Sequence, residues 1–264
     1  DRGNQYPELK YLYAMTLKHN GKYADAEDMF GQVIADNLDS ALMAKSKLEI
    51  AGCKLGRKAK QPELLKVDNL GKKTNSPQTE ASPSYSGGEL YFTSLAAKGV
   101  VTLDGKEGDW YSKVYTATPP AQAGSEYGEP KALGTQVNRE EWHQGNVYVT
   151  PDGKTMYFTR VEMENNYVKT SKIYISHKGA DGWGAATEVT GVNGDYIAKH
   201  PCEGELFGEK VLFFVANIPG GKGGFDIYYA TRKTDGVFGL PVNIGDVINT
   251  PGEEASPFYQ DGKL

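Results

Sequence analysis

Four short landmarks recur in the same order along this chain, at a period of about 55 residues. They are an aromatic doublet, a β-branched residue followed by tyrosine, an aromatic residue followed by glycine, and an asparagine in a turn. The copies are Tyr91-Phe92, Tyr157-Phe158 and Phe213-Phe214; Val114-Tyr115, Ile173-Tyr174 and Ile227-Tyr228; Tyr127-Gly128, Trp183-Gly184 and Phe238-Gly239; and Asn138, Asn193 and Asn249. Four landmarks that keep one order through three copies indicate an internal repeat.

A repeat of this length with strand-like content is typical of radial arrays such as β-propellers. Strand one follows a Ser-Pro pair, as at Ser82-Pro83, and a glycine-centred turn leads into strand two with the aromatic doublet. Strand three holds the β-branched–Tyr pair, and strand four follows the aromatic–Gly pair. The sequence therefore predicts four-stranded antiparallel blades with strands of four to seven residues, in which the doublets are core.

Residues 69–83 align without a gap to residues 243–257, with eight identities in fifteen positions. The array therefore begins inside a repeat, with its last strand at about 63–70. Three repeats follow, and the sequence stops in the hairpin turn of a fourth, at Asp261-Gly262. We expect the strand at 63–70 to close the last blade, and we interpret the chain as a fragment with an incomplete propeller.

Residues 7–55 have helical periodicity instead. A first helix carries Leu9, Leu12, Tyr13 and Leu17, a second carries Ala26, Phe30, Val33 and Ile34, and a third, at about 39–55, has two apolar stripes. A helix that is apolar on two faces is expected to be covered on two sides. The predicted organisation is an α plus all-β chain, with a helical domain at 1–56, a connector at 57–62 and a propeller at 63–264.

Composition excludes several classes of function. The net charge of −5 is mild and spread along the chain, so we predict no nucleic-acid partner. An apolar run near 18 residues is absent, so we predict no membrane-spanning segment. Cys53 and Cys202 fall in different predicted domains and form no CxxC motif, which favours free buried thiols over one inter-domain bridge.

The chain resembles known families at two places. Ala14, Gly21, Tyr23, Ala26 and Phe30 have the spacing of a tetratricopeptide repeat, and 149–158 looks like the PD40 repeat, a WD40-like propeller blade. The segments 44–53, 223–230 and 238–250 resemble a Bacteroidota family in which a tetratricopeptide repeat precedes a PD40 propeller and an OmpA-type domain, with PorE-like lipoproteins of the type IX secretion system as members.

The resemblance implies a periplasmic protein attached to the outer membrane, with secretion-machine subunits as its partners. Peptidoglycan would be bound only through the C-terminal OmpA-type domain, which these residues do not include. On this basis we expect a non-enzymatic scaffold for protein–protein contacts, with no cofactor. The alternative is a ligand-binding or glycan-acting propeller with its site at the channel mouth.

Catalytic and metal-binding motifs are absent from the sequence, and the candidate residues are therefore interface residues. Exposed aromatic side chains often anchor interfaces, which singles out Trp110, Tyr111, Trp142 and His143. Glu141 and Glu254 belong to acidic turns that recur at one place in the repeat, with Glu80 as a third example. Packing within a blade and local turn hydrogen bonds are the competing interpretations for both groups.

His200-Pro201-Cys202-Glu203 places a histidine, a cysteine and a glutamate close together. Strand alternation would put His200 and Cys202 on the same face, but zinc would need two further ligands. We therefore predict that these residues fill positions on an inner strand.

Overall fold

A computed structural model describes residues 6, 8–59, 67–95, 101–103, 106–108, 111–122, 125–234 and 236–264, with backbone alone for the two short strands at 101–108. The chain divides into two compact units, Asp1–Asp68 and Asn69–Leu264. In the described part of the chain, helices long and apolar enough for a membrane span are absent.

The first unit contains three helices, α1 (Glu8–His19), α2 (Tyr23–Asp36) and α3 (Ser40–Lys58). Helix α2 ends at Asn37, whose left-handed φ of 50° terminates the helix. Helix α3 begins after Asp39, whose carboxylate accepts the Leu42 N–H at 2.9 Å. The apolar periodicity of the sequence located all three helices. Local signals at the helix ends, such as Asn37 and Asp39, set where they stop and start.

The apolar stripes of α1 and α3 are only partly buried within this unit. Leu9, Leu12 and Tyr13 are exposed in α1, where the small Ala14 is buried and lets α2 approach. The core of this unit is formed by Ala14, Ala26, Phe30 and Cys53, with Tyr11, Met15, Leu17, Tyr23, Met29 and Ile50 packed around it. In α3 one apolar stripe is exposed, with Leu48 and Leu55 at 74% and 71%, so this helix is covered on one face within its unit.

The second unit is built from short antiparallel strands. They are β1 (Glu80–Ser86), β2 (Glu89–Ser94), β3 (Val101–Leu103), β4 (Lys106–Gly108), β5 (Lys113–Ala117), β6 (Lys131–Ala132), β7 (His143–Val149), β8 (Thr155–Glu164), β9 (Tyr167–Gly179), β10 (Gly182–Trp183), β11 (Thr187–Glu188), β12 (Ala198–Leu206), β13 (Glu209–Ala216), β14 (Asp226–Thr231) and β15 (Val242–Asn243). Three sheets follow one another along the chain, with orders β1-β2-β5-β6, β7-β8-β9 with β10 and β11 both on β9, and β12-β13-β14-β15. The prediction of successive antiparallel sheets is confirmed.

The aromatic doublets lie in the second strand of each sheet, as the repeat predicted. The doublets are in β2, β8 and β13, and all six aromatic side chains are at most 4% exposed. Their two members face opposite sides of each sheet, because strand side chains alternate. Each sheet therefore carries an aromatic side chain on both of its faces.

Two apolar clusters join the sheets. Tyr91 and Val114 of the first sheet pack with Met156, Phe158 and Tyr174 of the second. Tyr157 and Ile173 of the second sheet pack with Leu212, Phe214 and Tyr228 of the third. The contacts repeat in detail, since Tyr91 meets Trp183 edge-on at 5.9 Å and Tyr157 meets Phe238 edge-on at 6.2 Å.

Strand lengths differ from the prediction of four to seven residues. The outermost strands β6, β11 and β15 have two residues each, and β9 has thirteen. Because the fourth strands are so short, the recurrent asparagines stabilise the outer edge of each sheet by hydrogen bonds to its third strand. Asn249 Oδ1 accepts the Ile227 N–H at 2.9 Å and its Nδ2 donates to the Ile227 carbonyl at 3.0 Å. Asn138 and Asn193 bind Val114 and Ile173 in the same way, and we call this arrangement the asparagine clamp.

The predicted strand at 63–70 falls partly outside the described residues, and Val67–Leu70 form neither helix nor strand. The turn that follows, 69–75, belongs to the second unit. The domain limits 1–56, 57–62 and 63–264 stay predictions.

Candidate functional site

The first strand of each repeat departs from regular pairing. The register of β1 on β2 shifts between Ala81 and Ser84, and that of β12 on β13 shifts between Lys199 and Cys202. The register of β7 on β8 shifts between Gly145 and Tyr148. A β-bulge therefore recurs at one position in all three sheets, and bulges are enriched beside active and binding sites.

Each of the three bulges contains a residue with left-handed backbone conformation, with φ values of 52° at Ser82, 49° at Asn146 and 55° at His200. Ser256, at the corresponding position in the segment that begins the fourth repeat, has a φ of 53°. This conformation costs about 1–2 kcal/mol for a residue other than glycine. Four polar side chains are therefore held in the same strained geometry, and we refer to them as the bulge residues. Strain of this kind is concentrated at functional sites.

The bulge residues line a cavity of 960 Å³ between the first strands. Four prolines and four aromatic residues complete most of its wall: Pro83, Pro151, Pro201 and Pro257, with Tyr85, Tyr148, Phe258 and Tyr259. Tyr85 and Phe258 are 66% and 65% exposed, so their ring faces are open to solvent. The wall combines apolar surfaces with a few polar groups, which is the usual make-up of a ligand site.

Neighbouring strands are tied to each other at the cavity. Asn146 Nδ2 donates to Ser82 Oγ at 3.3 Å, and the Val149 N–H donates to Ser84 Oγ at 3.0 Å. On the opposite side the Tyr259 N–H donates to Cys202 Sγ at 3.3 Å. These hydrogen bonds fix the polar atoms before any ligand arrives.

His200 is neutral in this setting. Its Nδ1 accepts the Ser256 N–H at 3.0 Å, and this hydrogen bond assigns the ring proton to Nε2. Burial, and then the nearby Lys199 charge, lower the pKa of His200 to about 4. The imidazole therefore offers an uncharged N–H donor at neutral pH.

The cavity wall carries little charge. Among its described lining residues, Asp261 is the one carboxylic acid, arginine and lysine are absent, and His200 is neutral. Lys199 neighbours the cavity in sequence, but its Nζ lies 3.5 Å from the Phe225 ring centroid. The wall therefore contains hydroxyl, amide and imidazole groups and no cation that would bind an acidic ligand.

Three of the predicted interface residues come together away from this cavity. Tyr111 and His143 form an edge contact at 5.2 Å, and His143 Nδ1 accepts the Ser112 N–H at 3.1 Å. Lys113 Nζ donates to the Trp142 carbonyl at 2.9 Å, and burial lowers the pKa of Lys113 to about 8. All three predicted side chains are half-buried. Trp110 lies outside the described residues.

The predicted glutamates are also outside the cavity wall. Glu141 is exposed and has a φ of 57°. Glu254 accepts the Thr250 hydroxyl at 2.5 Å, and Glu80 accepts the equivalent Ser76 hydroxyl at 2.6 Å. Glu80 and Glu254 therefore brace local turns, which is the competing interpretation given for them above.

His200 and Cys202 both lie on β12 and line the cavity, but the register shift between Lys199 and Cys202 interrupts the strand alternation that was expected to put them on the same face. Cys202 and Cys53 are buried and free, and burial raises the pKa of both thiols. Groups of three or more potential metal ligands are absent among the described residues.

Sequence reasoning missed Ser82, Asn146 and Ser256. The signal that could have found two of them is the proline that follows, at 83 and 257, as another follows His200 at 201. Proline has no N–H for a ladder and is confined to sheet edges and bulges.

No family model matches the sequence, and no curated protein matches it either. Solved structures do match. An endo-arabinase from Bacteroides thetaiotaomicron is 14% identical, with 62% of this chain and 61% of that chain covered and a TM-score of 0.39. An α-L-arabinofuranosidase from Lactobacillus brevis is 16% identical, with 64% and 55% covered and a TM-score of 0.41. A Trypanosoma rangeli sialidase in complex with sialic acid is 14% identical, with 66% and 29% covered and a TM-score of 0.35.

The chain thus spans less than two thirds of the length of each of these proteins. All three are named as enzymes that act on glycans, and this finding contradicts the expectation of a non-enzymatic scaffold. At such TM-scores the likeness carries no argument about chemistry. A proposal about function therefore has to be based on the residues of the cavity.

Proposed function

We propose that this chain binds a neutral oligosaccharide in the cavity between its first strands. The observation that supports the proposal is the wall itself, in which four strained polar residues alternate with proline and aromatic surfaces. The volume of 960 Å³ is at the upper end of the range for ligand pockets and has room for several sugar rings.

The polar groups suit sugar hydroxyls. A hydroxyl group both donates and accepts, and the wall offers both functions through Ser82, Asn146, His200 and Ser256. The C–H faces of a sugar ring are apolar and can lie on Tyr85 and Phe258, whose rings are exposed. Since the polar groups are uncharged, they fit a neutral sugar better than an acidic one.

Cleavage of the bound glycan is a separate question for the same site. Glycoside hydrolysis commonly uses two carboxyl groups on either side of the scissile bond. Among the described residues, Asp261 is the carboxylate on the cavity wall. The geometry therefore supports binding better than cleavage. Analysis of the saccharides after the binding experiment, for shorter products, shows whether the chain also cleaves them.

The test is calorimetric titration of the chain with arabinohexaose and cellohexaose, as neutral probes, and with trigalacturonate as an acidic probe. We expect saturable binding of at least one neutral probe, at least tenfold tighter than that of trigalacturonate at pH 7. Failure of both neutral probes to bind at millimolar concentration, or preference for the acidic probe, would contradict the proposal.

Matched variants locate the site. H200N keeps a side chain that tolerates left-handed φ, as Asn146 does at the equivalent position, but it replaces the imidazole. H177N is the control, because His177 lies outside the cavity wall and is exposed. We expect H200N to change the affinity for the neutral probe by about fivefold or more and H177N to leave it unchanged.

We further propose that α1 and α2 form a tetratricopeptide-like unit and that the sheets are PD40 blades. We also propose that the chain belongs to the Bacteroidota envelope family that it resembles and works in the periplasm. The paired small residues Ala14 and Ala26, both fully buried between the two helices, support the first point. Fractionation of a Bacteroidota cell that produces the whole protein, with antibody detection, tests its location. Recovery in the cytoplasm would contradict that part of the proposal.

A further inference from the structure

Two side chains of β12 connect it to residues 256–261, which we call the fourth-repeat segment. His200 Nδ1 accepts the Ser256 N–H at 3.0 Å, and Cys202 Sγ accepts the Tyr259 N–H at 3.3 Å. In both contacts the donor is a backbone N–H and the acceptor is a side chain. The connection therefore depends on the chemical state of two side chains.

The corresponding contacts between β1 and β7 use serine hydroxyls. Ser84 has in β1 the position that Cys202 has in β12, and its Oγ accepts the Val149 N–H at 3.0 Å. Ser82 corresponds to His200, and its Oγ accepts a side-chain amide at 3.3 Å. A serine hydroxyl does not titrate in acid, whereas an imidazole nitrogen does. Acid can therefore change the contact of β12 while it leaves the contact of β1 intact.

Protonation reverses the role of His200 Nδ1. The neutral nitrogen accepts the Ser256 N–H, but an imidazolium carries a hydrogen on both ring nitrogens and has no acceptor. Two donors then point at each other across 3.0 Å and have to separate. The other hydrogen bond to β12 ends on Cys202, and sulfur is a weak acceptor.

The contact belongs to the wall of the saccharide cavity. His200 and Ser256 both line the cavity, so a separation between them displaces two of its polar groups. The chain just before the fourth-repeat segment is anchored to the third sheet, since the Glu254 N–H donates to the Phe225 carbonyl at 2.8 Å. A separation at Ser256 therefore changes the cavity while the preceding residues stay in place.

Titratable side chains from several elements lie on the cavity wall or near the ring. They are Lys199, Cys202 and Glu203 on β12, Tyr148 on β7, Tyr85 on β1, Glu253 beside Lys199, and Tyr259 and Asp261 in the fourth-repeat segment. From β8, the neutral Thr159 accepts the His200 N–H at 3.1 Å. Burial, and then the Lys199 charge, lower the pKa of His200 to about 4. The carboxylic acids also titrate in acid, so the control has to retain them.

We propose that His200 is a pH-sensitive switch in the cavity: its protonation separates β12 from the fourth-repeat segment and releases the neutral saccharide. The release rests on the proposed function, since it needs a saccharide in the cavity. The separation itself does not, and the two are measured by different experiments.

An NMR titration of the chain from pH 6 to pH 3.5 tests the separation without a ligand. We expect the Ser256 amide proton to shift with the same midpoint as the His200 ring protons, because the hydrogen bond between them is lost. The Val149 amide, which donates to a serine hydroxyl, is the control and should not follow that midpoint. K199M should move both midpoints to higher pH, since it removes a cation that disfavours the imidazolium. A Ser256 amide that does not follow the His200 ring overturns the proposal.

Calorimetric titration with arabinohexaose and cellohexaose measures the release. With a pKa of about 4, about three quarters of His200 is protonated at pH 3.5, so binding should be about fourfold weaker than at pH 6. H200N retains every carboxylic acid and should weaken by less than about twofold over the same range. Circular dichroism checks folding at pH 3.5, and K199M, which switches at higher pH, replaces the wild type if acid unfolds it.

The outcomes separate the switch from the proposed function. Saccharide binding with the same pH dependence in the wild type and in H200N overturns the switch alone. Failure of both saccharides to bind at pH 6 overturns the proposed function and the release together, whatever the Ser256 amide does.

Discussion

The second strands and the first strands of the sheets differ in regularity. Strands β2 and β13 pair with the third strands without a break, β8 does so from Thr155 to Glu162, and the three strands bury all six doublet side chains. Strands β1, β7 and β12 each contain a bulge and direct polar residues with left-handed φ into a cavity. The regular strands form the core between sheets, and the irregular strands form the candidate site. The same repeat thus encodes stability in one strand and a binding surface in another.

The largest expected effect comes from the core side of this comparison. Phe158 is fully buried between the first two sheets, so F158A should lower the free energy of unfolding by about 3–5 kcal/mol. F207A is the control, since Phe207 is 92% exposed and should stay within about 0.5 kcal/mol of the wild type. Urea denaturation measures both. Similar losses in the two variants would contradict the assignment of the core.

A second prediction compares Asn249, which forms an asparagine clamp on Ile227, with Asn75, its counterpart in the aligned segment 69–83. N249A leaves the buried N–H of Ile227 without its partner and removes one of the two donors to the Ile227 carbonyl, which keeps the Ile244 N–H, and should cost about 1–3 kcal/mol. N75A removes the equivalent side chain where no described strand is held, and should cost about 1 kcal/mol or less. The same denaturation experiment applies. Equal costs would show that Asn75 is already engaged.

The second strands were easier to predict from the sequence than the first strands. Tyr157-Phe158 and Asn193 were predictable, because a repeat displays core and turn residues at fixed spacing. The bulge at His200 was not, since the alternation rule assumes an unbroken ladder and a bulge adds one unpaired residue. In α1 the rule failed in another way: Leu9 and Leu12 form an apolar stripe that is exposed, while the small Ala14 marks the packed face.

The function was harder to predict than the fold. A short match such as 223–230 leads to a family resemblance, and the scaffold function was inferred from that resemblance together with the absence of catalytic motifs. The cavity depends on three first strands and on the segment that begins the fourth repeat, with Ser82 and Ser256 separated by most of the second unit. Sequence periodicity aligns these positions, but their left-handed φ and shared cavity emerge only in three dimensions.

The third prediction concerns the pH dependence of the first-strand region. The folded-state pKa of His200 is about 4 and the unfolded value is about 6.5, so the unfolded chain binds the proton first as pH falls. The stability due to neutral His200 is therefore complete above pH 6.5 and is lost progressively down to pH 4. Because the ring is partly solvated, we expect a loss of about 2 kcal/mol.

H200N tests this assignment, since Asn has no titration in that range. The urea midpoint should fall between pH 7.5 and pH 4.5 in both proteins, and the fall should be larger for the wild type than for H200N. An equal fall in both proteins would assign the pH dependence to other groups.

The smallest effect is expected at Ser82. S82G relieves the strain of a φ of 52° but loses the hydrogen bond from Asn146, so the stability should rise by about 0.5 kcal/mol at most. The affinity for a neutral saccharide should fall, since one hydroxyl is removed from the cavity wall. Thermal denaturation and calorimetric titration measure the two quantities. A variant that binds as the wild type does would remove Ser82 from the site.

The most direct test of the neutral-saccharide cavity is an amide NMR titration of the chain with arabinohexaose and cellohexaose. The account predicts that the shifted amides cluster at Ser82, Asn146, His200 and Ser256, with saturation at the affinity found by calorimetry. Shifts that cluster instead around Tyr111, Trp142 and His143, or the absence of any saturable shift with either sugar, would contradict it.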